Sequence, residues 1–351
     1  MEKVISDIYK NKLIVTKDLG KFKNILLFEG LLIKSSLDNN NNKKVIIKVI
    51  QRTGNRNFQN VLMEVGFLKY LSKYASSKKY INVCYNAKLT KEFLILVQEA
   101  PIGITLNDFI KEIMKKSFED YNKLVLVLMY KILLAINYIH SKGVAHRSLN
   151  PDNIYIKYDP TSNLITDIKI NNFTLSCGKY DELSEFQNNN LNNKTKKKNN
   201  NSTINSNSIY KFCDVIDMVI NPPERFSIDS LVKKIQTLMD NQTRESTYLY
   251  LAKKIDIWIL GILFWKLLNR KDMSQNPLDL VFPSNYQKNK TWKKFNGKSD
   301  FNLLMSKIFE IVVEKMLVEI PIRGKSNEIL EEFIVINKYY DDYDEDLAEK
   351  T

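Results

Sequence analysis

Residues Val144–Ile156 read VAHRSLNPDNIYI. A His-Arg-Asp triplet followed, after four further residues, by Asn is a spacing that serves phosphoryl transfer. The carboxylate orients an acceptor hydroxyl and takes its proton, and the amide holds a metal ion. Here His146, Arg147 and Asn153 keep the spacing, but Ser148 stands in the place of the carboxylate. A serine hydroxyl has no useful basicity near neutral pH, and loss of a positioned acid–base group costs about 10²–10⁴ in rate. The run therefore belongs either to an enzyme with an altered loop or to an enzyme fold that has stopped doing chemistry.

Elements on both sides must hold this loop. Residues 12–50 and 81–99 consist of short β-branched runs. Between them, VLMEVGFLKYLSKY carries Val61, Val65, Leu68 and Leu71 at helical spacing, which predicts a helix near 57–75. From Leu106 onward the pattern is mainly helical, with short strands near 153–157 and 167–171. LVLVLMYKILLAINYI is interrupted by Lys131 and Asn137 and reads as a buried core helix. The expected fold class is α+β with two lobes, a small β-rich N-lobe and a larger helical C-lobe, and the cleft between them is the natural ligand site.

The chain divides into an N-terminal extension (1–12), the N-lobe (13–100), the C-lobe (101–335) and an acidic tail (336–351). DNNNNKK at 38–44 is the tip of a hairpin. The Asn/Lys/Ser-rich stretch 188–208 has too little apolar surface to order itself and is read as disordered. An insertion over 226–252 carries Leu231, Ile235 and Leu238 at helical spacing.

Composition narrows the function classes. Three widely spaced cysteines, Cys84, Cys177 and Cys213, form neither a disulfide framework nor a metal spacing, and fit a reducing intracellular setting, cytoplasmic or nuclear. Two histidines, His140 and His146, argue against a His-rich metal site. No apolar run approaches a membrane span, and the N-terminus lacks the apolar core of a signal peptide. The formal charge of +13 reads as lysine-rich surface plus basic inserts, since nothing groups it into a nucleic-acid motif.

The layout and the order of its motifs resemble the eukaryotic protein kinase family over roughly residues 13–335. VIIK ends in Lys48, which looks like the strand lysine that grips nucleotide phosphates, and Glu64 on the following helix looks like its partner. HRSLNPDN matches the catalytic loop, with Asn153 at the metal-ligand position, and IKINNFT matches the metal-binding segment. NPPE ends in Glu224, DIWILG supplies Asp256, Trp258 and Gly261 of a buried central helix, and PIR supplies Arg323 as partner of Glu224.

The resemblance also marks what is missing. Ser148 holds the catalytic Asp position and Asn150 the catalytic-loop lysine position, so no catalytic set is intact. Asn172 stands at the metal-binding Asp, and Thr174 at the Gly two residues on. Two neutral amides are weak ligands for Mg²⁺, which favours anionic oxygens. Of the three phosphate-loop glycines only Gly20 remains, with Phe22 and Ile25 at the other two places. Glu99 would offer its carbonyl to adenine, but Pro101 has no N–H where the family donates one. Ile46 and Tyr155 are bulkier than the residues that usually flank adenine, and Tyr155 is expected to fill that space. Phe173 is expected to pack on His146 and Leu68. The insert reads first as a neutral expansion; were Thr195, Ser202, Thr203, Ser206 or Ser208 phosphorylated, Arg147 could pair with the phosphate.

The resemblance therefore implies a pseudokinase, acting as a scaffold or allosteric regulator for a protein partner such as an active kinase or signalling complex. No cofactor is expected beyond weak ATP, with or without Mg²⁺. Two other readings stand beside it: a divergent active Ser/Thr-type kinase, and a basic module for nucleic acid or anionic surfaces, of which nucleic acid is the less favoured partner.

Overall fold

The computed structural model describes residues 1–10, 12–22, 24–33, 42–52, 56–178, 244–270, 300–317 and 323–338. The insert 188–208, Glu224, the candidate helix at 231–238, Cys213 and the acidic tail beyond Lys338 lie outside the described residues.

The N-lobe is built on five strands: β1 (Leu13–Phe22), β2 (Ile25–Leu32), β3 (Lys43–Gln51), β4 (Cys84–Leu89) and β5 (Phe93–Glu99). They form one antiparallel sheet in the order β1-β2-β3-β5-β4. Leu32 pairs with Lys43, so the Asn-rich tract does join a hairpin, although its tip at 34–41 is outside the described residues. Side chains alternate along a strand. In β3 this sends Val45, Ile47 and Val49 into an outer core, while Ile46 and Lys48 border the interlobe cleft.

The outer core is closed by a helix that the sequence reading left as an extension, α1 (Glu2–Tyr9). Ile5 and Tyr9, four residues apart, share one helical face and pack on Leu13, Phe28, Ile47 and Ile95. Lys88 Nζ donates to the Ile8 carbonyl at 2.6 Å and sits over the Tyr9 ring at 4.5 Å. On the sheet's other side runs α2 (Arg56–Ser72), with Val61, Val65, Leu68 and Leu71 buried as their spacing predicted.

The C-lobe surrounds α4 (Phe118–Ser141), which follows the short β6 (Ile104–Thr105) and α3 (Leu106–Ile113). Ser117 caps α4, its hydroxyl accepting from Asp120 N–H. This is one helix among the described residues long and apolar enough to cross a membrane; most of that stretch is buried inside the fold. Its two polar interruptions are accommodated there: Lys131 Nζ donates to the Thr166 carbonyl, and Asn137 Oδ1 accepts from Ser326.

Next come β7 (Val144–Ala145), β8 (Ile154–Asp159), β9 (Leu164–Ile170) and β10 (Cys177–Gly178). β6-β8-β9 form one small sheet, and β7 pairs with β10. Among the described residues the lobe continues with α5 (Arg244–Leu268), α6 (Asp300–Ile311), a π-helical turn at Val312–Met316 and α7 (Ser326–Lys338). Residues 244–252, read from sequence as the end of an insertion, form the first turns of the central helix α5.

Candidate functional site

A cavity of about 960 Å³ lies between the lobes. Its walls include Leu27, Ile46, Lys48, Glu64, Gln98, Pro101, Tyr155, Asn171 and Asn172. Ile46 and Tyr155 therefore flank the cleft as their positions implied, but the expectation that Tyr155 fills it is not met. The cavity persists because both side chains line its wall. Burial, and then the charge of Asp152, raises the Tyr155 phenol above its ordinary pKa, and a hydrogen bond with Asn171 opposes this.

Lys48 Nζ and Glu64 Oε1 meet at 2.7 Å, and the Glu64 side chain is wholly buried. α2 is thus held against β3 by a charge pair inside the cleft. At the phosphate-loop end, β1 bulges between Asp18 and Gly20. Gly20 adopts φ +91°, a region that side chains rarely tolerate, and its N–H donates to Asp18 Oδ1 at 2.7 Å. Beyond it the backbone pairs directly, Phe22 with Ile25, and Ile25 borders the cavity where the family keeps a glycine.

The loop of Val144–Ile156 is anchored from below by one carboxylate. Asp256 on α5, fully buried, accepts from His146 N and Arg147 N at 2.7 Å each, and lies 2.9 Å from His140 Nε2. These bonds hold Arg147 at φ +63°, a conformation costly for an arginine. His146 is fully buried. Ser148 N–H donates to its Nδ1, so its Nε2–H donates to the Asn171 carbonyl. Burial pushes the imidazole pKa down to about 4, against the opposing pull of Asp256, so it is neutral near pH 7. Phe173 meets His146 edge-on at 4.8 Å, as expected, and Leu68 belongs to the same large core cluster.

The residues at the metal positions hold one another. Asn172, at φ +66°, donates from Nδ2 to Asn153 Oδ1 at 3.2 Å and accepts at Oδ1 from Thr174 at 2.8 Å. Asn153 Nδ2 donates to the Ser148 carbonyl at 2.7 Å and to its hydroxyl at 3.1 Å. Asn150 caps the short turn Pro151–Asn153, its side chain accepting from Asp152 N and Asn153 N. Asp152 is exposed, and no cluster of three His, Cys, Asp or Glu suited to a metal ion exists among the described residues.

Deeper in the C-lobe the scaffold residues pack together. Trp258 is buried, with the Arg323 guanidinium 4.8 Å over its ring. Arg323 Nη1 donates to the Lys254 carbonyl at 3.0 Å, and Lys254 Nζ donates to the Arg323 carbonyl. A side chain at Gly261 would meet Leu317 at 2.7 Å, so α5 needs a glycine there. The pairing of Arg323 with Glu224 falls outside the described residues.

Three site residues escaped the sequence reading. Lys169, almost fully buried on β9, pairs with Glu99 Oε2 at 2.6 Å. Apart from the carbonyl singled out from the sequence, the Glu99 carboxylate ties the interlobe connection to the C-lobe sheet. Gln98 and Asn171 form the polar back wall, Gln98 Nε2 donating to Asn171 Oδ1 at 3.4 Å. Only a buried polar residue inside an apolar strand, as in LILVQE, hinted at this wall.

Comparison with known proteins agrees with this geometry. Residues 32–190 match the model of the protein kinase domain. The chain is 28% identical over 160 residues to mitogen-activated protein kinase 14 of Xenopus laevis, covering 43% of this chain and 40% of that protein. It is 28% identical over 149 residues to the probable serine/threonine-protein kinase fhkE of Dictyostelium discoideum, covering 41% and 20% respectively. It is 44% identical over 43 residues to a Wee1-like protein kinase of Arabidopsis thaliana, covering 12% and 9%. The matches thus span less than half the length of each of these relatives. The chain has a protein kinase-like fold, with a β-sheet N-terminal region and a helical C-terminal one.

Proposed function

We propose that this chain is a catalytically inactive kinase-like protein that works as a scaffold or allosteric regulator of a protein partner. The observation that carries the reading is the closed amide network Ser148–Asn153–Asn172–Thr174. It occupies the positions where phosphoryl transfer needs a general base and an anionic metal site, and it supplies neither. The supporting framework of Asp256, His146 and Phe173 is intact, so architecture is kept where chemistry is lost. The widely spaced cysteines favour an intracellular setting for this role.

A second reading, a divergent ATP-dependent kinase, is favoured by one feature: the Lys48–Glu64 pair is formed and the cleft is open. Incubation of the purified chain with labelled ATP and Mg²⁺ or Mn²⁺ separates the two. The scaffold reading expects no incorporation into the chain itself or into generic protein substrates. Incorporation that disappears in Lys48→Ala establishes the enzyme instead.

A further inference from the structure

We propose that the acidic C-terminal segment 339–351 docks on a basic surface where the two lobes meet, built from Lys73, Lys78, Lys79 and Lys142. The inference goes beyond the inactive-kinase reading and does not depend on it.

Two acid-free stretches of sequence converge at this surface. From Val65 to Lys91 there are six lysines and no Asp or Glu, and from Tyr121 to Pro151 there is again no Asp or Glu. The first stretch holds the end of α2 and the short 3₁₀ turn Ala75–Lys79; the second holds most of α4 and the loop after it. Tyrosines bring the two together. The Tyr70 hydroxyl donates to the Lys142 carbonyl at 3.0 Å, and the Tyr138 hydroxyl donates to the Leu71 carbonyl at 3.4 Å. Tyr80 stacks on Tyr138 with ring centres 5.0 Å apart.

This tyrosine floor holds a cation without neutralising it. Lys142 Nζ lies 4.1 Å from the centre of the Tyr74 ring, and an aromatic face orients a cation but carries no net charge. Lys73, Lys78 and Lys79 are exposed beside it. Glu64, Asp256 and Glu328, on elements packed against the two stretches, are taken by Lys48, by the loop amides and by Lys325. Four lysines on one face thus raise a positive potential that an anionic segment relieves.

The chain carries the matching charge. Beyond Lys338 the sequence reads YYDDYDEDLAEKT, six carboxylates against one lysine, in a chain whose formal charge is +13. α7, which leads to this segment, starts beside the surface: Ser326 Oγ lies 3.2 Å from His140 Nδ1, two residues before Lys142. The helix is about 20 Å long, so the segment departs within about 30 Å of Lys142, and thirteen extended residues span up to about 45 Å. Single exposed ion pairs are weak, but a tethered segment acts at an effective concentration in roughly the millimolar range, where several weak pairs suffice. Lys73, Lys78 and Lys79 belong to the N-lobe and Lys142 to the C-lobe, so the docked segment bridges the lobes.

The test is zero-length carbodiimide cross-linking of the full chain, which joins a carboxylate to a lysine amine in contact with it. Mixing isotope-labelled with unlabelled chain separates links within one molecule from links between two. Within one molecule, the carboxylates of 339–351 should link to Lys73, Lys78, Lys79 and Lys142 about tenfold more per lysine than to the exposed Lys111, Lys115 and Lys123. Raising NaCl from about 0.05 M to about 0.5 M should remove most of that preference. Lys78→Glu with Lys79→Glu, both at exposed positions, should cut the links to Lys73 and Lys142 by about tenfold. An even spread over all lysines, links concentrated on Lys196, Lys197 and Lys198, links only between molecules, indifference to salt, or links to Lys73 and Lys142 undiminished in the double variant each overturns the inference. If the double variant does not fold, the wild-type distribution and its salt dependence decide.

Discussion

The side-chain amide of Asn172 donates to the side-chain oxygen of Asn153 at 3.2 Å. Two residues at the positions that the kinase resemblance gives to metal ligands hold each other here, through a direct hydrogen bond between their side chains. An amide donor at position 172 is what makes this possible, since a carboxylate there would repel the Asn153 oxygen unless something positive lay between them.

Asn172→Asp should therefore convert the contact into a demand for a cation. In a thermal-shift titration with ATP, the variant is expected to gain a Mg²⁺-dependent rise in melting temperature of about 2–4 °C that the wild type lacks, the size expected for ligand at about ten times its Kd. A variant indifferent to Mg²⁺ would show that another defect, such as Ile25 in the phosphate path, limits the site.

Lys48 and Glu64 should behave as a buried pair. Lys48→Met leaves the Glu64 carboxylate buried and unpaired, and is expected to cost about 3–5 kcal/mol in urea unfolding. Lys48→Met combined with Glu64→Leu should recover most of the loss, because the uncompensated charge is gone. If the double variant is as unstable as the single, packing rather than charge explains the cost.

Asp256 should be the residue on which the loop depends most. Asp256→Ala strands two backbone donors, His146 N–H and Arg147 N–H, and is expected to lower stability by about 3 kcal/mol or more. It should also speed hydrogen exchange at those two amides. Asp256→Asn keeps an acceptor oxygen and should lose less. Slow exchange retained in Asp256→Ala would mean that Arg147 is held at positive φ by other contacts.

His146 gives the fold an acid-sensitive window. Its folded pKa, near 4, lies below the ordinary value of 6.5, so between these values the unfolded chain binds a proton that the native state refuses. Its contribution is fully present above pH 6.5 and is lost as the pH falls toward 4, by roughly 3 kcal/mol in all. The unfolding free energy of wild type should decline through that range, and a His146→Phe variant should decline less. Parallel curves would remove His146 as the cause.

Much of the site could be read before the structure because its residues keep the order and spacing that carried the kinase resemblance. Lys48 finds Glu64, Asp256 lies under His146, and Phe173 meets His146, as their order along the chain implied. What escaped depended on direction and distance. Lys169 and Glu99 are 70 residues apart in sequence, and nothing local marks them as partners. Tyr155 was expected to occupy the cleft because of its size, but volume says nothing about where a ring points. Val4, Ile5, Ile8 and Tyr9 alternate with polar residues in a short segment, and only the sheet face beneath Ile5 and Tyr9 turns it into a docked helix.

That docked helix makes the N-lobe sheet the middle layer of three, with α1 on one side and α2 with the cleft on the other. Of the outer-layer core residues, only Val45 also borders the cavity. The lobe's resistance to unfolding and the shape of its binding site are therefore tunable separately. Ile5 and Tyr9 offer a dial for the first that scarcely touches the second, and a variant weakened there would report how much of any partner's grip depends on a firm lobe rather than on the contents of the cleft.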